Sequence, residues 1–154
     1  MVAATDQDYQ LWVLLHHACD AMARARENEL RPVGISGMQA AVLFIVKTLE
    51  VPATPAEISR RLFREPHTVS GLLDRMERQG LVRRVKDLER RNLIRVAITE
   101  KGEQAYHRSR EMGVIHEILS SLSQEEQDNL RAYLETLRHK ALAELAAQRP
   151  LPFA

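Results

Sequence analysis

Five consecutive residues, Pro66, His67, Thr68, Val69 and Ser70, hold the types that a helix uses in its first turn to read a duplex. Hydroxyls meet base edges or phosphates, threonine and valine methyls suit the thymine methyl group, and open amides at a helix start attract phosphate. A second cluster follows in Arg83, Arg84, Lys86, Arg90, Arg91 and Arg95, with Asn92 beside the central pair. A narrow loop tipped by arginine suits the minor groove, where negative potential is concentrated. Arg75, on the same helix as the first cluster, is a candidate phosphate contact. All of this is recognition chemistry rather than bond-making chemistry.

Charge placement agrees. The 154-residue chain carries a formal net charge of only +1. From Glu57 to Arg95, however, eleven Arg or Lys face six acids, a local balance of +5 that leaves the rest of the chain at −4. A basic middle between acidic flanks is the footprint of one surface for nucleic acid. Enzyme chemistry lacks an organiser: the sequence has no Gly-rich phosphate loop and no nucleophile elbow, and the spacing of its six histidines is no metal signature. No metal and no cofactor are expected.

These clusters need elements to hold them. Aromatics make up 5% of the chain against 45% apolar residues in all, so Leu, Val, Ile, Ala and Met must do the packing, as in helix-on-helix folds. One domain is expected over residues 1–154, mainly α with a small β-hairpin. Leu11, Leu15, Ala18, Met22 and Ala25 form one stripe of a first helix, which fades near Pro32 and Gly34. Ser36 with Gln39 opens a second helix as a capping box, and Thr54, Pro55 and Glu57 open a third in the same way. Pro66 fits only the first turn of a new helix, so residues 63–65 form a helix-turn-helix corner, and Gly80 ends the fourth helix. Residues 81–86 and 93–98 alternate as half-buried strands around the polar loop 87–92. Thr99 caps a fifth helix expected to run to about Leu122, and Ser123 with Glu126 caps a sixth. That last helix carries Leu130, Leu134, Leu137, Ala141 and Leu145 on one face.

The lobe 54–99 is too small to need both long terminal helices, 7–31 and 100–147, as its cover. Their stripes, Leu11, Leu15 and Ala18 with Leu130 to Leu145, are expected to bury against a second copy. A two-fold dimer would set two reading helices about one DNA turn apart, roughly 34 Å.

The run HTVSGLLDRMERQGLVRR, followed by ERRNLIRVAITEKG, resembles the MarR family of winged-helix transcription regulators, and the likeness extends to the flanking helices. The resemblance implies a homodimer with interlocked first and last helices, reading a pseudo-palindromic double-stranded site in bacterial or archaeal cytoplasm. It implies repression relieved by a small, phenolic-type ligand or an oxidant. It also implies a ligand cleft between the dimer helices and the lobe, with Trp12, His16, Met38 and Val42 as candidate lining.

Two positions depart from the family pattern. Glu65 stands where many relatives have serine, and Arg90 stands where the wing usually has aspartate, leaving Asp87 or Glu89 to brace the loop. Asp74 is expected to pair with Arg90, Arg91 or Arg95 and fix the hairpin to the reading helix. The single Cys19 cannot form an internal disulfide. No Lys or Arg follows it before Arg24, so a buried structural thiol is expected, and a thiol-based redox response is the alternative. Another alternative is a winged-helix module that binds protein rather than DNA. No apolar run approaches the roughly 20 residues that span a bilayer, and residues 1–10 lack a secretion-signal profile, so no membrane partner and a cytoplasmic location are expected.

Overall fold

Side-chain caps at Thr5, Ser36 and Thr54 start three of the helices that build the N-terminal half of the chain. The computed structural model describes residues 3–87, 89–90, 92–111 and 113–148. The elements are α1 (Asp6–Leu30), α2 (Gly37–Thr48), α3 (Pro55–Leu62), α4 (Pro66–Arg78), β1 (Val82–Lys86), β2 (Ile94–Ile98), α5 (Glu100–Glu111), α6 (Val114–Leu119) and α7 (Gln124–Gln148). A short 3-10 turn, Arg31–Val33, joins α1 to α2 and ends at Gly34.

The expected Ser36–Gln39 capping box is present, and Ser123 and Glu126 exchange the same reciprocal bonds before α7. Thr54 caps α3 by accepting the Glu57 amide at 3.1 Å. Glu57 itself does not reach back. Its carboxylate is held by Arg60 and Arg61 instead, since charge-assisted bonds one turn away outweigh a bond to a neutral amide.

One core lies under the lobe. Leu30, Val42, Leu43, Ile58, Val69, Leu73 and Met76 are at most 1% exposed, and Leu72, Leu81, Val82 and Val96 close around them. β1 and β2 pair antiparallel with Val82 opposite Ile98 and Arg84 opposite Val96. The Val96 amide donates to the Ala53 carbonyl at 2.7 Å, so the segment before α3 lies against the outer edge of β2.

The fifth helix is shorter than expected. It stops at Glu111, and α6 begins after Gly113. The Val114 amide at the start of α6 donates to Glu29 Oε1 at 2.8 Å, and Arg26 donates to the Ser109 carbonyl at 2.8 Å. Two side chains of α1 thus satisfy backbone groups on either side of the break, a tertiary device that local pattern does not reveal.

The α4–β1 turn is packed against α5 at close range. Gly80 takes the left-handed conformation at φ 74°, which a helix ending in a tight turn requires. The Thr99 hydroxyl donates to the Gly80 carbonyl and accepts the Gly102 amide at 3.0 Å. A Cβ on Gly102 would stand 2.0 Å from the Leu81 carbonyl oxygen, so only glycine lets α5 start there.

Among the described residues of α1 only Leu30 is buried, and α7 buries none along its 25 residues. Among the described residues, no single helix is long and apolar enough to cross a membrane.

Candidate nucleic-acid interface

The corner between α3 and α4 is made by Phe63 in the left-handed region at φ 53°, with the Arg64 amide donating to the Ser59 carbonyl at 3.1 Å. The buried Ser59 hydroxyl returns a bond to the Arg64 carbonyl, which fixes the exit direction of the chain. Pro66 then occupies the first position of α4, where its missing amide costs nothing. Glu65 precedes it without making a side-chain cap, so no carboxylate oxygen covers the first-turn amides.

Val69, Leu72, Leu73 and Met76 turn inward, and Pro66, His67, Thr68, Ser70, Asp74, Arg75 and Arg78 remain exposed. Val69 therefore leaves the set of candidate DNA contacts: at 1% exposure it belongs to the core. Periodicity explains this, because a helix that packs one side must give up a residue of its first turn to the core.

The hairpin emerges beside α4 and is pinned to it by one side chain. The Arg84 guanidinium meets Asp74 Oδ1 at 2.8 Å and Glu77 Oε2 at 2.7 Å, and it donates to the Ser70 carbonyl at 3.4 Å. The Arg84 amide adds a bond to Glu77 Oε1 at 2.9 Å. That amide bond, followed by the guanidinium, holds Glu77 below the ordinary carboxylate pKa. Partial burial works against the Arg84 charge, but the bonds to Glu77 and Asp74 outweigh it and raise the pKa further.

The expected partner of Asp74 is thus corrected. Among the described residues its ion pair is with Arg84 of β1 rather than with Arg90 or Arg95. Only the Gly80 turn separates β1 from α4, so the start of the hairpin runs alongside the last two turns of the helix. The clue in the sequence was Glu77, which makes a two-carboxylate face with Asp74.

The loop is braced within itself. Asp87 Oδ1 accepts the amides of Glu89 at 2.8 Å and Arg90 at 3.1 Å, and these bonds lower its pKa. Asp87 thereby does the bracing that Arg90 cannot. Arg90 and Asn92 are exposed at the tip, and Arg83, Lys86 and Arg95 are exposed along the strands. Arg91 lies outside the described residues.

The other expected sites are distributed differently. Leu11, Leu134 and Leu137 are 57%, 46% and 51% exposed, Ala18 and Ala141 are exposed, and Leu15, Leu130 and Leu145 are half-buried. Trp12 meets His16 edge-on at 4.5 Å between ring centres, on the open surface of α1. Met38 is half-buried, and Val42 is fully buried in the core, so Val42 cannot line a cleft. Its position on α2 is apolar on all sides, which hides from the sequence which side is open. An apolar cleft of about 650 Å³ lies instead between α2 and α3, lined by Phe44, Ile45, Leu49, Val51 and Leu62 with Arg61 at its edge. Cys19 is exposed, contrary to the expected buried thiol, because it lies on the outer side of a helix that buries little.

Residues 33–91 match the profile of the MarR family. Among proteins with curated function, none matches the chain by sequence. The ligand-free structure of the organohalide-sensing transcriptional regulator RdhR superposes with a TM-score of 0.79 at 29% identity, covering 90% of this chain and 83% of that one. RdhR has also been solved bound to 2,4-dichlorophenol. The Mycobacterium tuberculosis regulator MosR, solved in complex with DNA, gives 0.72 at 25% identity over 85% of this chain and 95% of its own. Escherichia coli MarR bound to operator DNA shares the fold, with a TM-score of 0.77 at 20% identity over 88% and 99% of the two chains. Residues 33–91, which carry the helix-turn-helix and the first strand of the hairpin, are thus similar in sequence to the MarR family, and nine-tenths of the chain follows the backbone of a solved transcriptional regulator.

Proposed function

We propose that the protein is a homodimeric repressor that binds a pseudo-palindromic site on double-stranded DNA and releases it on binding a small phenolic-type effector. The observation that carries this reading is the Arg84 clamp. It sets an arginine-tipped hairpin at a fixed angle to the exposed first turn of α4, which is the relation needed to engage adjacent grooves. His67, Thr68 and Ser70 with Pro66 face the major groove, Arg75 takes a phosphate, and Arg90, Arg91 and Asn92 enter the minor groove. The DNA complexes of MosR and MarR support this assignment.

The dimer reading rests on the open apolar faces of α1 and α7, including Leu11, Leu134 and Leu137. Large apolar side chains left open along both helices mark an association site. Effector relief is supported by the dichlorophenol complex of RdhR and by the apolar cleft between α2 and α3, where a ligand would press on the helix that carries α4. A cytoplasmic location accords with these roles.

The test is selection of binding sites. Full-length protein incubated with a random-sequence duplex pool should enrich an inverted repeat whose half-sites lie about one helical turn apart. Enrichment of no sequence, or of a single half-site, would overturn the proposal.

A further inference from the structure

Gly71 occupies the middle of α4, between the two turns that carry His67 and Arg75. Glycine weakens a helix interior relative to alanine, because its backbone has more freedom to lose. At three other positions the structure answers for the glycine: Gly34 and Gly80 need positive φ, and Gly102 is pressed against the Leu81 carbonyl; Gly113, also in open space, precedes α6 rather than lying inside a helix. Gly71 has neither reason. No φ constraint applies to it, and a Cβ added there would have no heavy atom within 4 Å.

The open space lies on one particular side. With 3.6 residues per turn, Gly71 shares a stripe with His67, Arg75 and Arg78, opposite the buried Val69, Leu72, Leu73 and Met76. Ser70, Asp74 and Glu77 lie to one flank, where Arg84 holds them against the hairpin. The outward stripe of the reading helix is therefore a residue with no side chain, bordered by an imidazole and two guanidinium groups.

We propose that Gly71 is a specificity-determining residue, whose missing side chain lets α4 seat close enough to the major-groove floor for His67 to reach a base edge while Arg75 holds a phosphate. The proposal rests on the DNA-binding reading above. A side chain here would meet nothing in the protein, but it would meet the duplex first and hold the helix away from the bases. Contacts to phosphate depend less on depth, so affinity for unrelated sequence survives such a change while the preference for the cognate site does not.

The test uses the full-length protein, a duplex enriched by the wild type from a random pool, and a shuffled duplex of equal length. Gly71→Ala and Gly71→Leu place good helix formers in open space. They should raise the melting temperature by roughly 1–4 °C, which also shows that the variants fold. Affinity for the enriched duplex should fall about tenfold for alanine and further for leucine, while affinity for the shuffled duplex stays unchanged. Wild-type affinity retained by both variants would overturn the proposal, and so would an equal loss on both duplexes. Failure of the wild type to enrich any duplex would instead overturn the DNA-binding reading itself.

Discussion

The guanidinium of Arg84 sits 2.8 Å from the carboxylate of Asp74, across the turn that joins the reading helix to the hairpin. Together with the bonds to Glu77, this makes the angle between α4 and the hairpin a property of one side chain. Arg84→Ala should lower duplex affinity several-fold while the core, and with it the melting temperature, changes little, since Arg84 is only half-buried and its carboxylate partners are open to solvent, where ion pairs contribute weakly to stability. Hydrogen exchange should locate the change, with faster exchange at the Arg84 amide and along β1. Unaltered exchange there would remove Arg84 from this role.

Leu134→Asp and Leu137→Asp replace residues that are about half exposed in the single chain, so the fold itself tolerates them. Sedimentation should show a folded monomer with the helical signal of the wild type. Affinity for a two-half-site duplex should drop by roughly 10²-fold or more, because the second lobe no longer binds at high effective concentration. A variant that remains dimeric would remove α7 from the interface.

Gly102→Ala presses a methyl group into the Leu81 carbonyl, at a distance no rotamer change relieves. Overpacking of this kind costs about 2 kcal/mol or more, to be read from urea unfolding. Gly71→Ala meets no such obstacle. Identical chemistry at the two glycines should therefore move stability in opposite directions.

Glu77 and Asp87 both titrate below the ordinary carboxylate range, chiefly through bonds from backbone amides to their charged forms. A lowered folded pKa means stability that is complete above the unfolded value, about 4, and is lost as pH falls through the folded value. Urea midpoints measured from pH 6 down to pH 3 should therefore fall. Asp87→Ala should make that fall shallower, and the loop amides of Glu89 and Arg90 should exchange faster. An unchanged acid profile in Asp87→Ala would show that the loop does not couple to folding.

The elements that were legible in the sequence are those specified by neighbours a few residues apart. Ser36 with Gln39, Thr54 with Pro55, Gly80, and the alternation of Ile94, Val96 and Ile98 each act within one turn or one strand. Pairings across the fold were not legible. The break at Gly113 depends on Glu29, far away in sequence, and the partner of Asp74 depends on how β1 leaves the helix. Val69 and Val42 illustrate a second limit, because a residue type suited to touching a ligand is equally suited to a core. Glu57 shows a third: the capping signal was real, yet a nearby arginine competed for the same carboxylate.

If the winged lobe holds duplex DNA through its arginine-tipped hairpin, the salt dependence of duplex affinity must differ between the wild type and the Arg90→Ala/Arg91→Ala variant. Affinity of the wild type should show a steep log–log decline, with the slope reduced in the double variant by about 0.9 for each phosphate it no longer neutralises. Identical slopes for the two proteins, or a wild-type affinity that ignores salt, would contradict that mode of binding.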